Sequence, residues 1–442
     1  MVVFLVAPEL RTLGGFEMQL GALAAGLCHA GHFVAVLIRK PVARNHPYAL
    51  WIRASGAKLV LPNRWLARCL DPPRQARESG RYVLVGLAFP FLAVVAAVDA
   101  VARRRPLWRA WRGAVGRWHG LVSRVLFADL LTWQLRRALD RERRRRHPDI
   151  IDVQHSLIPF GITYAKSCGI PVVYTEYGAP SWELESVWAG LRPVINQADF
   201  IIGRAEASIS GLRDVCGLAE DRPWAIVPNA VTAGPPDGAP NSLDLPPDDG
   251  GVVITAIGRL APEKGALDLL AAFRQLRQAG LPARLVLAGD GPLRATLESQ
   301  AWAWGVQDDV TFTGAFDDLA PIMRATHIVA HPTLNDGRSV AVLEAMAWGR
   351  PVVGTAVGGV AEIVRDGYTG YLVPPGDPDA LAAALRRLIL DPNARRRMGR
   401  HARMEFVAGG YTVDAMVEQT LTVYRQVIER HRANSGRAMS RG

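Results

Sequence analysis

Short apolar runs alternating with helix-length segments constrain this chain more than any other feature. Val2–Ala7, Phe33–Ile38 and Lys58–Leu61 read as strands, with a helix from about Met18 to Ala30 between the first two. The rhythm resumes at Asp149–His155, Ile170–Gly178, Ala198–Gly203 and Trp224–Val231. It returns at Val252–Ile257, Leu285–Asp290, Val310–Gly314 and His327–His331. Strands apolar on both faces and joined by helices belong to parallel sheets covered on both sides. The 442 residues suffice for two such cores. Ligands of these sheets gather at the carboxyl ends of the strands.

One stretch, His331–Val353, reads as loop, helix and buried strand, with Gly349 and Pro351 ending the helix. It holds two carboxylates, Asp336 in the loop and Glu344 on the helix. At ~1.5 Å rise per residue they stand roughly 12 Å apart, which suits two ends of one extended ligand. Between them Gly337, Arg338 and Ser339 offer backbone N–H groups at a helix start, a site for phosphate. A capping Asp and a solvated Glu remain the bland alternative. Lys264 stands at another helix start, where the dipole prefers negative charge, so a bound anion shared with nearby Arg259 would remove the conflict. Gly14-Gly15 follows the first strand, where bare backbone approaches a diphosphate or simply turns. Asp290, in Gly289-Asp-Gly291-Pro292, caps or binds, and Pro292 suits a first helical position. His155 and Glu176 fall at strand ends.

Charge is unevenly placed. Arg103–Arg146 holds 14 Arg and three acids, which accounts for the whole net charge of +11. Ahead of it, Tyr82–Val98 is uncharged and apolar, broken by Pro90. Trp108, Trp111, Val115, Trp118, Val122 and Val125 then recur at helical steps, with most Arg off that stripe. A basic amphipathic helix edged with Trp suits an anionic membrane surface, and packing on its own domain is the alternative. Nucleic acid fits poorly, because the aromatics form an apolar stripe and no stacking platform. The four scattered cysteines give no metal-ligand spacing and suggest a reducing compartment. Val2 opens a strand directly, with no basic segment or cleavage site before it.

Taken together, a set of motifs resembles the group 1 (family four) retaining, nucleotide-sugar-dependent glycosyltransferases. They are Gly14-Gly-Phe-Glu17, Val227-Pro-Asn-Ala-Val231, Gly258-Arg-Leu-Ala-Pro-Glu-Lys-Gly265, Leu287-Ala-Gly-Asp-Gly-Pro292, Phe312-Thr-Gly314, Asp336-x7-Glu344 and Gly358-Gly-Val-Ala-Glu-Ile-Val364. The resemblance implies an α/β fold of two facing Rossmann-like domains, the GT-B type. The expected division is 1–232 for an acceptor-side domain with a helical basic insertion at 81–146, then a Pro/Gly/Asp-rich linker at 233–250. Residues 251–410 would form the nucleotide-sugar domain, and a helix at 411–432 (Thr412–His431 by its pattern) would pack back on the first, ahead of a frayed polar tail.

By that resemblance Arg259 and Lys264 stabilise the leaving diphosphate, Glu344 holds the ribose, and Asp336 and His155 contact the donor sugar. Gly15, Asp290, Gly291, Gly337, Arg338, Ser339 and Val340 line the donor site. Asp336 stands where the family usually has Glu, Arg338 and Ser339 replace Phe and Gly or Pro, and Tyr177 replaces a frequent His. The implied reaction moves a hexose from a nucleotide-diphosphate sugar to a lipid-linked or membrane-proximal glycan, as in polysaccharide biosynthesis. It implies no cofactor and no metal, and a cytoplasmic protein peripheral to the inner face of the membrane. A sugar-nucleotide epimerase and a non-catalytic scaffold are the competing readings.

Overall fold

The structure is a computed structural model, and it describes residues 1–7, 10, 15–39, 42, 46–61, 132–154, 159–178, 180, 188, 190–231, 251–316, 318–336 and 339–439. Two parallel sheets organise it. The first is built from β1 (Val2–Ala7), α1 (Gly15–His29), β2 (Phe33–Ile38), α2 (Pro47–Ala54), β3 (Lys58–Val60), α3 (132–145) and β4 (Ile150–Gln154). It continues through α4 (Pro159–Ser167), β5 (Val172–Glu176), β6 (Phe200–Gly203), α5 (Glu206–Cys216) and β7 (Trp224–Ile226). Its strand order is β3-β2-β1-β4-β5-β6-β7.

The second sheet starts with β8 (Val252–Ile257), α6 (Ala266–Gln278), β9 (Ala283–Ala288), α7 (Arg294–Ala303), β10 (Val310–Gly314), α8 (Ala320–Ala325) and β11 (Ile328–His331). After it come α9 (Val340–Ala347), β12 (Val352–Thr355), α10 (Gly358–Ile363), β13 (Gly370–Val373), α11 (Pro378–Leu390), α12 (Pro392–Ala408) and α13 (Val413–Met439). The order is β10-β9-β8-β11-β12-β13. In each sheet the first strand has neighbours on both sides, β2 and β4 for β1, β9 and β11 for β8. The strand order reverses there, and the crevice at the carboxyl ends of those strands is where such sheets bind ligands.

Helix α13 leaves the second sheet and completes the core of the first. Met416, Val417, Leu421, Tyr424 and Val427 are buried in one cluster with Leu20, Leu23 and Val34. Each such side chain contributes roughly 1.5–3 kcal/mol on burial. A Cβ on Gly26 of α1 would lie 2.3 Å from Val417 Cγ2, so the missing side chain lets the two helices close. Tyr424 also donates its hydroxyl to Asp152 Oδ2 on β4 at 2.6 Å, and Thr175 Oγ1 donates to Oδ1 at 2.8 Å. Burial pushes the Asp152 carboxyl up to about 6, while Tyr424, Thr175 and Arg204 pull the other way. The chain crosses between the sheets at two places that touch: Val231 bridges Thr412, and Val231 N–H donates to Tyr411 O at 3.0 Å.

Three local expectations change. Pro292 and Leu293 form a turn and α7 begins at Arg294. The last helix does not stop at His431 but continues to Met439. The end of the basic segment, 132–145, is a helix packed on the first sheet: Leu135 and Leu139 are buried in its core, Glu142 pairs with Lys58, and Arg146 lies over the Phe33 ring at 4.2 Å. One face of this helix is therefore taken up by packing within the chain, while Trp133, Arg136, Arg137 and Arg141 stay exposed on the other. Tyr82–Val98, the Trp108–Val125 stripe and the 233–250 segment lie outside the described residues. No helix among the described residues is long and apolar enough to cross a membrane.

Candidate active site

Two loops meet at the carboxyl ends of β8 and β11. The chain leaves β8 through Gly258 and Arg259, makes a short 3-10 turn at Pro262–Lys264, and enters α6 through Gly265. Gly265 has φ +66°, and a Cβ there would come within 1.9 Å of the Pro332 carbonyl oxygen. Only glycine permits both that backbone and that approach. The Glu263 carbonyl accepts from Leu334 N–H at 2.9 Å and from Thr333 Oγ1 at 3.1 Å, which laces the loops together.

Lys264 Nζ consequently reaches Asp336 Oδ2 at 2.9 Å, and His331 Nε2 lies 3.2 Å from the same oxygen. Burial would raise the Asp336 carboxyl, but Lys264 and His331 outweigh it and hold the group well below the usual carboxylate range. The negative charge that Lys264 needs at its helix start comes here from the chain itself, so the expected conflict with the dipole is already relieved. Arg259 is also occupied, by Glu263, with both side chains 43% exposed. The two cations are therefore apart in their pairing, each neutralised by its own carboxylate.

Helix α9 supplies the third component. Ser339 is its N-cap, and the hydroxyl accepts from Val342 N–H at 3.4 Å. Glu344, one turn along, is partly buried, and its side chain has no hydrogen-bond or ion-pair partner among the described residues. Desolvation pushes its carboxyl up to about 8. Such a group is stabilised by a ligand that donates hydrogen bonds to it.

The first sheet closes on this site through α1. A Cβ on Gly15 would stand 3.2 Å from Val340 Cγ2, so the start of α1 abuts the start of α9. Beside it, Phe16 meets Tyr177 edge-on at 5.0 Å, and the Tyr177 hydroxyl accepts from Arg204 at 2.8 Å and donates to Gln154 at 2.5 Å. Asp290 and Gly291 serve the backbone: Asp290 Oδ1 accepts from Gly291 N–H at 2.7 Å, and a Cβ on Gly291 would strike the Leu260 carbonyl oxygen at 2.4 Å. His155, Gly337 and Arg338 lie outside the described residues.

Sequence reading missed His331 and Thr333. His331 ends β11 as His155 follows β4, and the strand-end rule applied to one applies equally to the other. Nothing local distinguishes Thr333; its role depends on a loop that lies far away in sequence.

The model for Glycosyl transferases group 1 matches residues 251–391, which carry the β8–β13 sheet and both of these loops. Alpha-D-kanosaminyltransferase of Streptomyces kanamyceticus is 33% identical over 177 residues, 40% of this chain and 46% of that protein. The chain thus spans less than half the length of that relative. D-inositol 3-phosphate glycosyltransferase of Kribbella flavida is 30% identical over 345 residues, 72% of this chain and 80% of that protein. Among solved structures, Anabaena HepE in complex with UDP-glucose superposes with a TM-score of 0.68 at 17% identity, covering 96% of this chain and all of that one. That likeness shows the GT-B fold, two parallel-sheet α/β domains. With the sequence match extending over most of the Kribbella relative, the chain belongs to the group 1 glycosyltransferases.

Proposed function

We propose that the chain transfers a hexose from a nucleotide-diphosphate sugar to an acceptor, with retention at the anomeric carbon and without a metal. The observations that carry this reading are the cluster of Lys264, Asp336 and His331 at the loop that leads into α9, and the Glu344 side chain on that helix, which has no partner among the described residues. Leaving-group charge grows on the diphosphate while the sugar becomes oxocarbenium-like, and positioned cations and N–H dipoles stabilise that separation. Lys264 and Arg259 supply the cations, and α9, capped by Ser339, directs backbone N–H groups at the same place. A diphosphate reaching Lys264 competes with Asp336, which then turns to a sugar hydroxyl. Glu344 accepts from the ribose. Gly15 approaches the diphosphate from the other side, and Gly337, Arg338, Val340 and His155 complete the donor site as the family pattern implies. Asp290 and Gly291 support its floor.

For the acceptor, the Arg-rich run and its Trp stripe within 82–131 favour a lipid-linked or membrane-proximal glycan at an anionic inner membrane face. A soluble phosphorylated polyol is the second reading, favoured by the name of the Kribbella relative. Deleting 103–131 separates them, since only the first reading predicts a move from membrane to soluble fractions.

The deciding experiment is a thermal-shift panel of nucleoside diphosphates and nucleotide-sugars, with Glu344→Ala as control. A ligand at 100 times its dissociation constant adds about 2.7 kcal/mol of stability. One nucleotide family should raise the midpoint, and the control should lose most of that rise. No shift with any of them rejects the donor reading in favour of a scaffold, and nucleotide-sugar isomerisation without acceptor favours an epimerase.

A further inference from the structure

The Gly358-Gly-Val-Ala-Glu-Ile-Val364 motif carries one charged side chain, Glu362, and its carboxylate reaches the other half of the molecule. Oε2 accepts from the Glu206 backbone N–H at 3.1 Å, and Oε1 accepts from the Ala207 N–H at 2.9 Å. Both amides belong to the first turn of α5, on the first sheet. That turn has no side-chain cap of its own. Its N-cap position is Ala205, in extended backbone (φ −150°, ψ 162°), a residue with no acceptor to offer. The first turn of a helix leaves N–H groups unpaired and a partial positive charge, and a carboxylate answers both. Here that carboxylate comes from across the cleft.

The helix that carries Glu362 also touches the candidate active site. Gly359 N–H, near the start of α10, donates to the Asp336 carbonyl oxygen at 3.3 Å. One short helix therefore contacts the loop that pairs with Lys264 at one end and the first sheet at the other.

We propose that Glu362 is a positioning residue, a clasp that caps α5 in trans and holds the two halves in the orientation where Gly15 meets Val340. Glu362 is exposed, so the contact is screened and reversible, as a clasp between halves that must admit and release substrate requires. Two hydrogen bonds to consecutive amides of an uncapped helix give it a defined geometry that a loose surface ion pair lacks. Its consequence for turnover rests on the transfer reading above, whereas the orientation it sets does not.

The test is small-angle scattering of the full chain without ligand, for wild type, Glu362→Gln and Glu362→Ala, with amide exchange at Glu206 and Ala207 read in parallel. Glu362→Ala should shift the closed-to-open equilibrium by about tenfold, seen as a larger radius of gyration with a melting point lowered by only a few degrees. Glu362→Gln keeps one acceptor oxygen and should restore part of the compactness. Adding Ala205→Ser to Glu362→Ala gives α5 a local cap, and should return amide protection while leaving the molecule expanded. An unchanged scattering curve for Glu362→Ala overturns the proposal. So does recovery of compactness by Ala205→Ser, because it would reduce Glu362 to a cap for its helix. A loss of nucleotide binding in every protein would instead count against the donor reading and leave the scattering result standing.

Discussion

Glu344 and Asp336 stand on the same stretch of chain, yet their neighbours leave them in opposite protonation states. Asp336 has Lys264 and His331 against one oxygen and stays ionised, whereas Glu344 has no such partner and keeps its proton to about 8. The native state therefore binds a proton that the unfolded chain releases near 4.5, so this group's contribution to stability falls as pH rises from there through about 8. If Glu344 holds the ribose, as proposed above, the hydroxyls would donate to the ionised carboxylate, and binding a nucleotide at pH 7 should expel that proton. Calorimetry in buffers of different ionisation heat should give about 0.9 protons released at pH 7 and close to none above pH 9. Glu344→Gln should abolish the release, and a wild-type heat independent of buffer would remove Glu344 from the ribose contact. Of these residues the sequence marks the two acids and Lys264 by spacing and helix position. It does not mark His331, because the Asp336 contact depends on how the loop folds back across its own strand.

Strands were the most legible elements. Val2–Ala7 and Phe33–Ile38 run between the bounds that their apolar residues set, because a strand buried on both faces needs an unbroken apolar run. Ends governed by tertiary contact were harder to read. Pro292 has the residue type of a helix start, but the Asp290–Leu293 turn is tied to Leu260 and the helix begins later: Leu260 N–H donates to Asp290 O at 2.9 Å, and Leu293 N–H donates to Leu260 O at 3.0 Å. The 3-10 turn and α6 joined by Gly265 form the element most sensitive to a single atom. Gly265→Ala should cost roughly 2–4 kcal/mol in urea unfolding and weaken the nucleotide-induced thermal shift, since the Cβ drives the Pro332 carbonyl and its loop away from Lys264. A cost below about 0.5 kcal/mol would show that the loop moves freely, and that the Lys264–Asp336 contact does not depend on this approach.

The two halves are joined by more than the cleft. Tyr424 carries α13 into the first sheet and ends on a buried acid, so Tyr424→Phe should cost roughly 1.5–3 kcal/mol at pH 8, where Asp152 is ionised. The cost should shrink at pH 5, below the Asp152 value of about 6, because a neutral carboxyl gains less from the hydroxyl. Equal costs at both pH values would mean that Asp152 does not change charge between them. Pairing of this kind joins residues 272 positions apart, and periodicity carries no record of it. It also orders events during synthesis. The first sheet emerges early from the ribosome but lacks the apolar face that Met416, Val417, Leu421 and Tyr424 provide. The second sheet must be translated before that face arrives, a delay on the order of ten seconds at roughly 5–20 residues per second. Through that interval the nascent first half exposes the α1 surface that α13 later covers, and so presents a binding surface to chaperones before it can present one to substrate.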